Sequence, residues 1–203
     1  MMRVGVLASG SGSNFQSLVD ALNVAGSPAR VELLVCNVPG ARVIERARAA
    51  GVEVVVIDHR TAGPRESFDA QVVEALSARK LELVCLAGYM RLVTPTFLRA
   101  FPGKVLNLHP ALLPSFPGLH AVKQALDAGV KVAGCTVHFV DEGTDTGPII
   151  AQAAVQVLPG DDEARLGARI HAEEHRLYPA VVQAIARGHV TQSGRLVQLV
   201  EAL

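Results

Sequence analysis

The 203-residue chain contains no Trp, and aromatic side chains make up only 4% of it. Single-stranded nucleic acids are held by stacking bases on aromatic faces, so this composition argues against that role. An excess of charge is missing as well: 19 basic residues balance 19 acidic ones, and no block of like charge runs along the sequence. Electrostatic attachment to nucleic acid has nothing to rest on, which leaves small molecules as the expected partners. Long hydrophobic runs are absent too. The apolar stretch Met1 to Ser9 carries an early Arg and is too short for a signal peptide, and no later run approaches membrane-spanning length. No membrane association is expected, and the protein reads as soluble and cytoplasmic.

Cysteine is scarce. Cys36, Cys85 and Cys135 each lie in or beside an apolar strand-like run, and none belongs to a Cys-x-x-Cys pair. An odd, scattered set supports neither a disulfide framework nor a zinc site, and it suits a reducing compartment. With no other ligand cluster in sight, no metal is expected.

Apolar material, by contrast, is ample: 50% of residues against 19% charged, enough for the core of one domain of this length. Over the first sixty residues short β-branched runs alternate with helical patterns: Val4 to Ala8, a helix from about Asn14, Val31 to Val35, a helix from about Ala41, then Val52 to Ile57. This βαβαβ order predicts an α/β fold with a parallel sheet. A helix over Glu66 to Ala78 leads to Leu83 to Ala87, and a short helical stretch past Pro95 leads to Val105 to Leu108. Each run reads as apolar on both faces, as central parallel strands require. Then the pattern changes. A loop with Pro110, Pro114 and Pro117 precedes a helix around Val122 to Asp127 and two apolar runs, Val132 to Val140 and Ile149 to Val157. The short Gly-containing connection between those runs predicts hairpin-like pairing at the sheet edge. A long helix follows from about Asp161 to Arg187, stopped by Gly188. No linker or repeat divides the chain, so residues 1–203 are expected to form one domain, with a βα half over 1–100 and a half carrying the long helix over 101–203.

Four sets of residues carry chemistry. Ala8-Ser-Gly-Ser-Gly-Ser-Asn14 lies between a strand and a helix, where glycines let the backbone approach an anion and helix-start N–H groups donate to it. A Gly-rich turn there serves equally as a tight connection. No Lys-Ser/Thr follows, which excludes a nucleoside-triphosphate loop, and Cys36-Asn37 stands where a dinucleotide site needs an acidic residue, so a single phosphate monoester fits better than NAD. Next, Asn107 and His109 interrupt a buried strand; spaced by two, they share a face at the carboxyl end, where open α/β sheets bind ligands. The loop Asp141-Glu-Gly-Thr-Asp-Thr-Gly147 brings two or three carboxylates, which alone reads as a solvated turn, and His138 before it reads as structural. Finally, Glu174 falls on the apolar stripe Leu166, Ile170, Leu177, Val181 and Ile185 of the last helix, where a carboxylate needs a partner. Its alternative is a helix-edge residue whose head reaches solvent.

Taken together, Ser9-Gly-Ser-Gly-Ser-Asn14, Leu86-Ala-Gly-Tyr-Met-Arg91, Asn107-Leu-His-Pro-Ala-Leu-Leu-Pro114, Gly134-Cys-Thr-Val-His-Phe-Val140 with Asp145-Thr-Gly147, and Glu174-His-Arg-Leu-Tyr-Pro179 resemble the phosphoribosylglycinamide formyltransferases, within the folate-dependent formyltransferase family. The resemblance covers essentially the whole chain. It implies a Rossmann-like formyltransferase fold: a mostly parallel twisted sheet with helices on both faces and antiparallel strands in the C-terminal half. It implies transfer of the formyl group of 10-formyltetrahydrofolate to the amine of 5′-phosphoribosylglycinamide, a step of purine synthesis, with no metal, and it leaves room for a homodimer. Catalysis would fall to Asn107, His109 and Asp145, with the Asn107 amide and His109 donating to the oxyanion. The ribonucleotide would be held by Gly12, Ser13, Asn14, Phe15, Gln16 and Glu174. The formyl folate would be held by Arg65, Met90, Arg91, Leu92, Val93, Asn107, Asp141, Glu142, Gly143, Thr144 and Asp145. Ala111 stands where many members have Ser, at the cost of an auxiliary contact at most. Two rival functions are a hydrolase releasing formate from the same folate and a non-catalytic nucleotide-binding module; the phosphate loop with Glu174 counts against the first, and the Asn107, His109 and Asp145 set counts against the second.

Overall fold

Strand β1 (Met2–Ala8) is buried over its last residues because it lies between two parallel neighbours, β2 (Ala29–Cys36) and β4 (Leu83–Leu86). β3 (Glu53–Val56) pairs parallel with the far side of β2. The order β3-β2-β1-β4 with intervening helices α1 (Ser13–Leu22), α2 (Arg42–Ala49), α3 (Arg65–Ser77) and α4 (Pro95–Ala100) is the parallel α/β pattern expected. One expectation fails: β3 is not buried on both faces. It is the edge strand of the sheet, with Glu53 and Val56 exposed and Val54 and Val55 only half-buried.

This computed structural model describes residues 1–200. It comprises two compact units, Met1–Leu106 and Asn107–Leu203, and the chain passes from one to the other inside β5 (Val105–His109). In the second unit, β5 is followed in the sheet by β6 (Val132–Phe139) and β7 (Ile149–Gln156), and the last two pair antiparallel as their short connection predicts. Helix α5 (Ala121–Asp127) precedes β6. Helix α6 (Glu163–Ala186) packs on β6 and β7; its first turn is capped by the Asp162 side chain, which accepts from the Arg165 N–H at 2.8 Å. The buried stripe Leu166, Ile170, Glu174, Leu177 and Val181 turns its face inward.

A final hairpin, β8 (Val190–Ser193) and β9 (Leu196–Leu199), was not anticipated beyond the stop at Gly188. Its strands are four residues long and largely exposed, so they lack the apolar density that marks a core strand. The short apolar-rich run Leu196-Val-Gln-Leu199 after the turn Gly194-Arg195 is the available signal. None of the described helices is long and apolar enough to cross a membrane.

The loop between β1 and α1 depends on Gly12, which caps α1 in the left-handed region at φ 75°. A Cβ there would meet the Val43 side chain of α2 at 2.5 Å. Gly12→Ala is expected to lower the unfolding free energy by about 1–3 kcal/mol, from backbone strain and overpacking together, and a urea midpoint unchanged from the wild type would contradict it.

Candidate active site

The second unit gathers its chemistry around one carboxylate. Asn107 and His109 project from the same face of β5, as their spacing requires, and both reach Asp145. Asn107 Nδ2 donates to Asp145 Oδ1 at 3.2 Å, and His109 Nδ1 lies 3.3 Å from Asp145 Oδ2, which also accepts the Gly118 N–H at 2.8 Å. Asp145 holds a left-handed backbone, φ 56°, a region that Asp tolerates better than most residues. Burial would raise its carboxyl; the neighbouring His138 imidazole, the Gly118 N–H and the His109 imidazole outweigh that and hold it below the usual carboxylate range.

His138, read as structural, also meets this cluster. Its Nδ1 faces the Phe139 carbonyl at 2.8 Å, so it carries the proton there, and its Nε2 then accepts from Asn107 Nδ2 at 3.2 Å while lying 3.7 Å from Asp145 Oδ1. The signal lay in β6, the strand next to β5, and reading one strand at a time does not show which side chains of its neighbour point the same way.

Both donors assigned to an oxyanion are occupied within the protein. The Asn107 amide spends its hydrogens on His138 and Asp145, and His109 Nε2 faces the carbonyl of Phe116 at 2.8 Å. Phe116 is itself left-handed, φ 55°, in the loop after β5. That loop is tied to β6 and β7: Thr136, fully buried, donates to the Ala111 carbonyl at 2.7 Å and accepts the Leu113 N–H at 3.1 Å, while Gln152 donates to the Leu113 carbonyl at 2.9 Å. Of the neighbouring loop, Asp141 accepts the Gly143 N–H and the Thr146 hydroxyl, whereas Glu142 and Thr144 are exposed.

Glu174 is buried, which overturns the alternative of a head reaching solvent. Its partner is His171 one turn earlier, with Nδ1 2.5 Å from the carboxylate; the imidazole is 57% exposed against 3% for Glu174, so the pair meets solvent through the histidine. The Glu174 hydrogen bond and charge outweigh burial and raise the His171 pKa above 6.5.

In the first unit, the residues from Gly12 to Gln16 form the start of α1. The preceding loop is braced by α2, where the Val43 N–H donates to the Gly10 carbonyl and Arg46 Nε to the Ser11 carbonyl at 2.9 Å. Phe15 points into the core, while Gln16 bonds Asp20 along the helix. After β4, Ser9 Oγ accepts the Met90 N–H at 2.9 Å and donates to Asn37 Oδ1 at 2.6 Å. Arg65 Nε donates to the Leu92 carbonyl at 3.0 Å, and its Nη2 also reaches the Val93 carbonyl, so this guanidinium braces backbone. Arg91 lies 4.6 Å over the Phe68 ring, and the Met90 and Leu92 side chains are exposed. All three cysteines are buried thiols, and among the described residues no group of three or more His, Cys, Asp or Glu side chains is arranged to hold a metal ion.

Comparison with known proteins adds four observations. Residues 2–182 match the family described as formyl transferase. The chain is 46% identical over 185 residues to a phosphoribosylglycinamide formyltransferase of Bacillus subtilis, covering 91% of this chain and 95% of that protein. It is 49% identical over 188 residues to the trifunctional purine biosynthetic protein adenosine-3 of Drosophila melanogaster, but spans only 14% of that relative's length. Among solved structures, glycinamide ribonucleotide transformylase 1 from Symbiobacterium toebii superposes with a TM-score of 0.96 at 51% identity, over 98% of this chain and 94% of that one.

The Glu174–His171 pair carries its own test. A histidine raised by folding contributes stability that is fully present below its unfolded value, here 6.5, and is lost as pH rises through the folded-state value. The urea midpoint of the wild type should therefore exceed that of His171→Gln most below pH 6.5 and converge on it at higher pH; a constant gap across that range would contradict the pairing.

Proposed function

Because the chain belongs to the formyl transferase family, we propose that it moves the formyl group of 10-formyltetrahydrofolate to the primary amine of 5′-phosphoribosylglycinamide, as a step of purine synthesis in the cytosol. The observation that carries the chemistry is the convergence of Asn107 and His109 on the Asp145 carboxylate in a partly buried cluster. The choice of acceptor is supported by the names of the full-length bacterial relative and of the solved structure, and by the glycine-dependent loop at the start of α1.

The amine attacks the formyl carbon, forming a C–N bond and a tetrahedral centre whose oxygen becomes negative. Collapse breaks the bond to the folate nitrogen; the amine gives up one proton overall, and the departing nitrogen gains one. Stabilising the oxyanion falls to Asn107 Nδ2 and His109 Nε2. In the ligand-free protein these donors face a neutral carbonyl, Phe116 O, and the Asp145–His138 pair. For His109, exchanging the Phe116 carbonyl for an oxyanion strengthens the bond only as charge develops, which is the condition for lowering the barrier rather than merely tightening substrate binding; Asn107, already facing the Asp145 carboxylate, contributes by its placement. Asp145 bridges the two donors and has both the position and the ionised form to take part in proton movement.

For the ribonucleotide, the backbone and side chains from Gly12 to Gln16 take the phosphate end, and Glu174, held by His171, the ribose hydroxyls. For the folate, we assign Met90, Arg91, Leu92 and Val93, supported by Arg65, together with Asn107 and the loop Asp141, Glu142, Gly143, Thr144 and Asp145. Residues 1–203 serve this one reaction as a single functional domain.

Release of tetrahydrofolate is expected to require the ribonucleotide and to fall by about 10²–10³ in His109→Ala and in Asn107→Ala, with dissociation constants for both substrates nearly unchanged. Release without the ribonucleotide would identify a formyl-folate hydrolase instead, and ribonucleotide binding with no release at all would leave a binding protein.

A further inference from the structure

The hairpin β8–β9 reaches back to the loop that carries Asp145. β9 lies beside β7, and the turn between the hairpin strands presents Arg195, whose Nη2 donates to the Thr146 carbonyl at 2.8 Å. Thr146 is the residue next to Asp145. Its hydroxyl is already fixed from the other side, donating to Asp141 Oδ1 at 2.6 Å, and the same oxygen accepts the Gly143 N–H at 3.1 Å. Thr146 is thus held twice, by its side chain and by its main chain.

Asp145 needs that restraint. Its φ of 56° lies in a region that Asp enters more readily than most residues but that still costs some energy, so contacts on its neighbours help to hold it. On the following side Gly147 is pressed so closely against the Phe139 carbonyl that a Cβ would collide with it. The Asp145 carboxylate is held from outside the loop by Gly118, Asn107 and His109, and among the described residues the backbone on either side of it receives one bond from outside the loop and the strands it joins, that of Arg195, a restraint that the hairpin adds.

We propose that Arg195 is a positioning residue: by fixing the peptide that follows Asp145, it sets where the carboxylate stands between His109, Asn107 and His138. This rests on the reading of Asp145 as part of the catalytic cluster. Arg195 itself is exposed, and its bond is to the Thr146 backbone rather than to Asp145, Asn107 or His109. Because its partner is a backbone carbonyl, a Lys that reaches the same oxygen replaces it in part, whereas Ala does not.

The test is steady-state kinetics and urea denaturation of the full chain as Arg195→Ala, Arg195→Lys, Asp145→Asn and the double variant Arg195→Ala/Asp145→Asn. Arg195→Ala is expected to lower kcat about three- to tenfold, the scale of one exposed hydrogen bond, while KM for each substrate stays within about twofold. Arg195→Lys should recover most of that loss, and in the Asp145→Asn background Arg195→Ala should change kcat less than about twofold, since the group it positions is gone. An unchanged kcat in Arg195→Ala beside a slow Asp145→Asn overturns the proposal while leaving the catalytic reading intact. So does an equal fall in both backgrounds, a rise in KM alone, or a lowered urea midpoint with full activity. Full activity in Asp145→Asn overturns the catalytic reading and this proposal together.

Discussion

A carboxylate with two oxygens can organise several donors at once, and Asp145 does so from a loop. Oδ2 takes the Gly118 N–H and stands beside His109 Nδ1; Oδ1 takes the Asn107 amide and stands beside His138 Nε2. Those partners come from β5, β6 and the loop after β5, so one side chain fixes the relative placement of three segments. Burial works against its ionised form, and the surrounding hydrogen bonds and imidazoles reverse that balance. Close packing and backbone restraint then serve the same end: Gly147 tight against Phe139, Thr146 held by Asp141, and Arg195 on the Thr146 carbonyl.

Much of this was legible in residue patterns, for identifiable reasons. Asn107 and His109 lie two apart on a strand, and the side-chain period of a strand is fixed, so their shared face followed from numbering alone. The antiparallel β6 and β7 followed from a connection too short for a crossover. What escaped was relational. His138 looked structural because nothing in its own strand reveals that β5 runs alongside and offers Asn107. The edge position of β3 depends on what does not pair with it, and the composition of Val52 to Ile57 says nothing about absent neighbours.

Glu174 illustrates the middle case. Its place on an apolar helical stripe announced that a partner must exist, and helical spacing restricts local partners to three or four residues away. His171, three residues before it, fills that requirement and brings the charge of the pair to the surface. The internal partners of Asn107 and His109 were beyond sequence reading altogether, since the Phe116 carbonyl is a backbone group whose position depends on how the loop after β5 closes. On the proposed mechanism that arrangement bears on rate: a donor already aimed at a neutral carbonyl, as His109 is, gains strength only against developing charge.

The dependence on Asp145 is most directly tested by single-turnover formyl transfer in Asp145→Asn with both substrates saturating, beside equilibrium dissociation constants for each. The account predicts a rate lower by about 10² or more with both constants within a few-fold of the wild type, because the amide keeps the shape but not the charge of the group that organises the donors. A transfer rate equal to that of the wild type, or a loss that appears wholly in the dissociation constants, would contradict it.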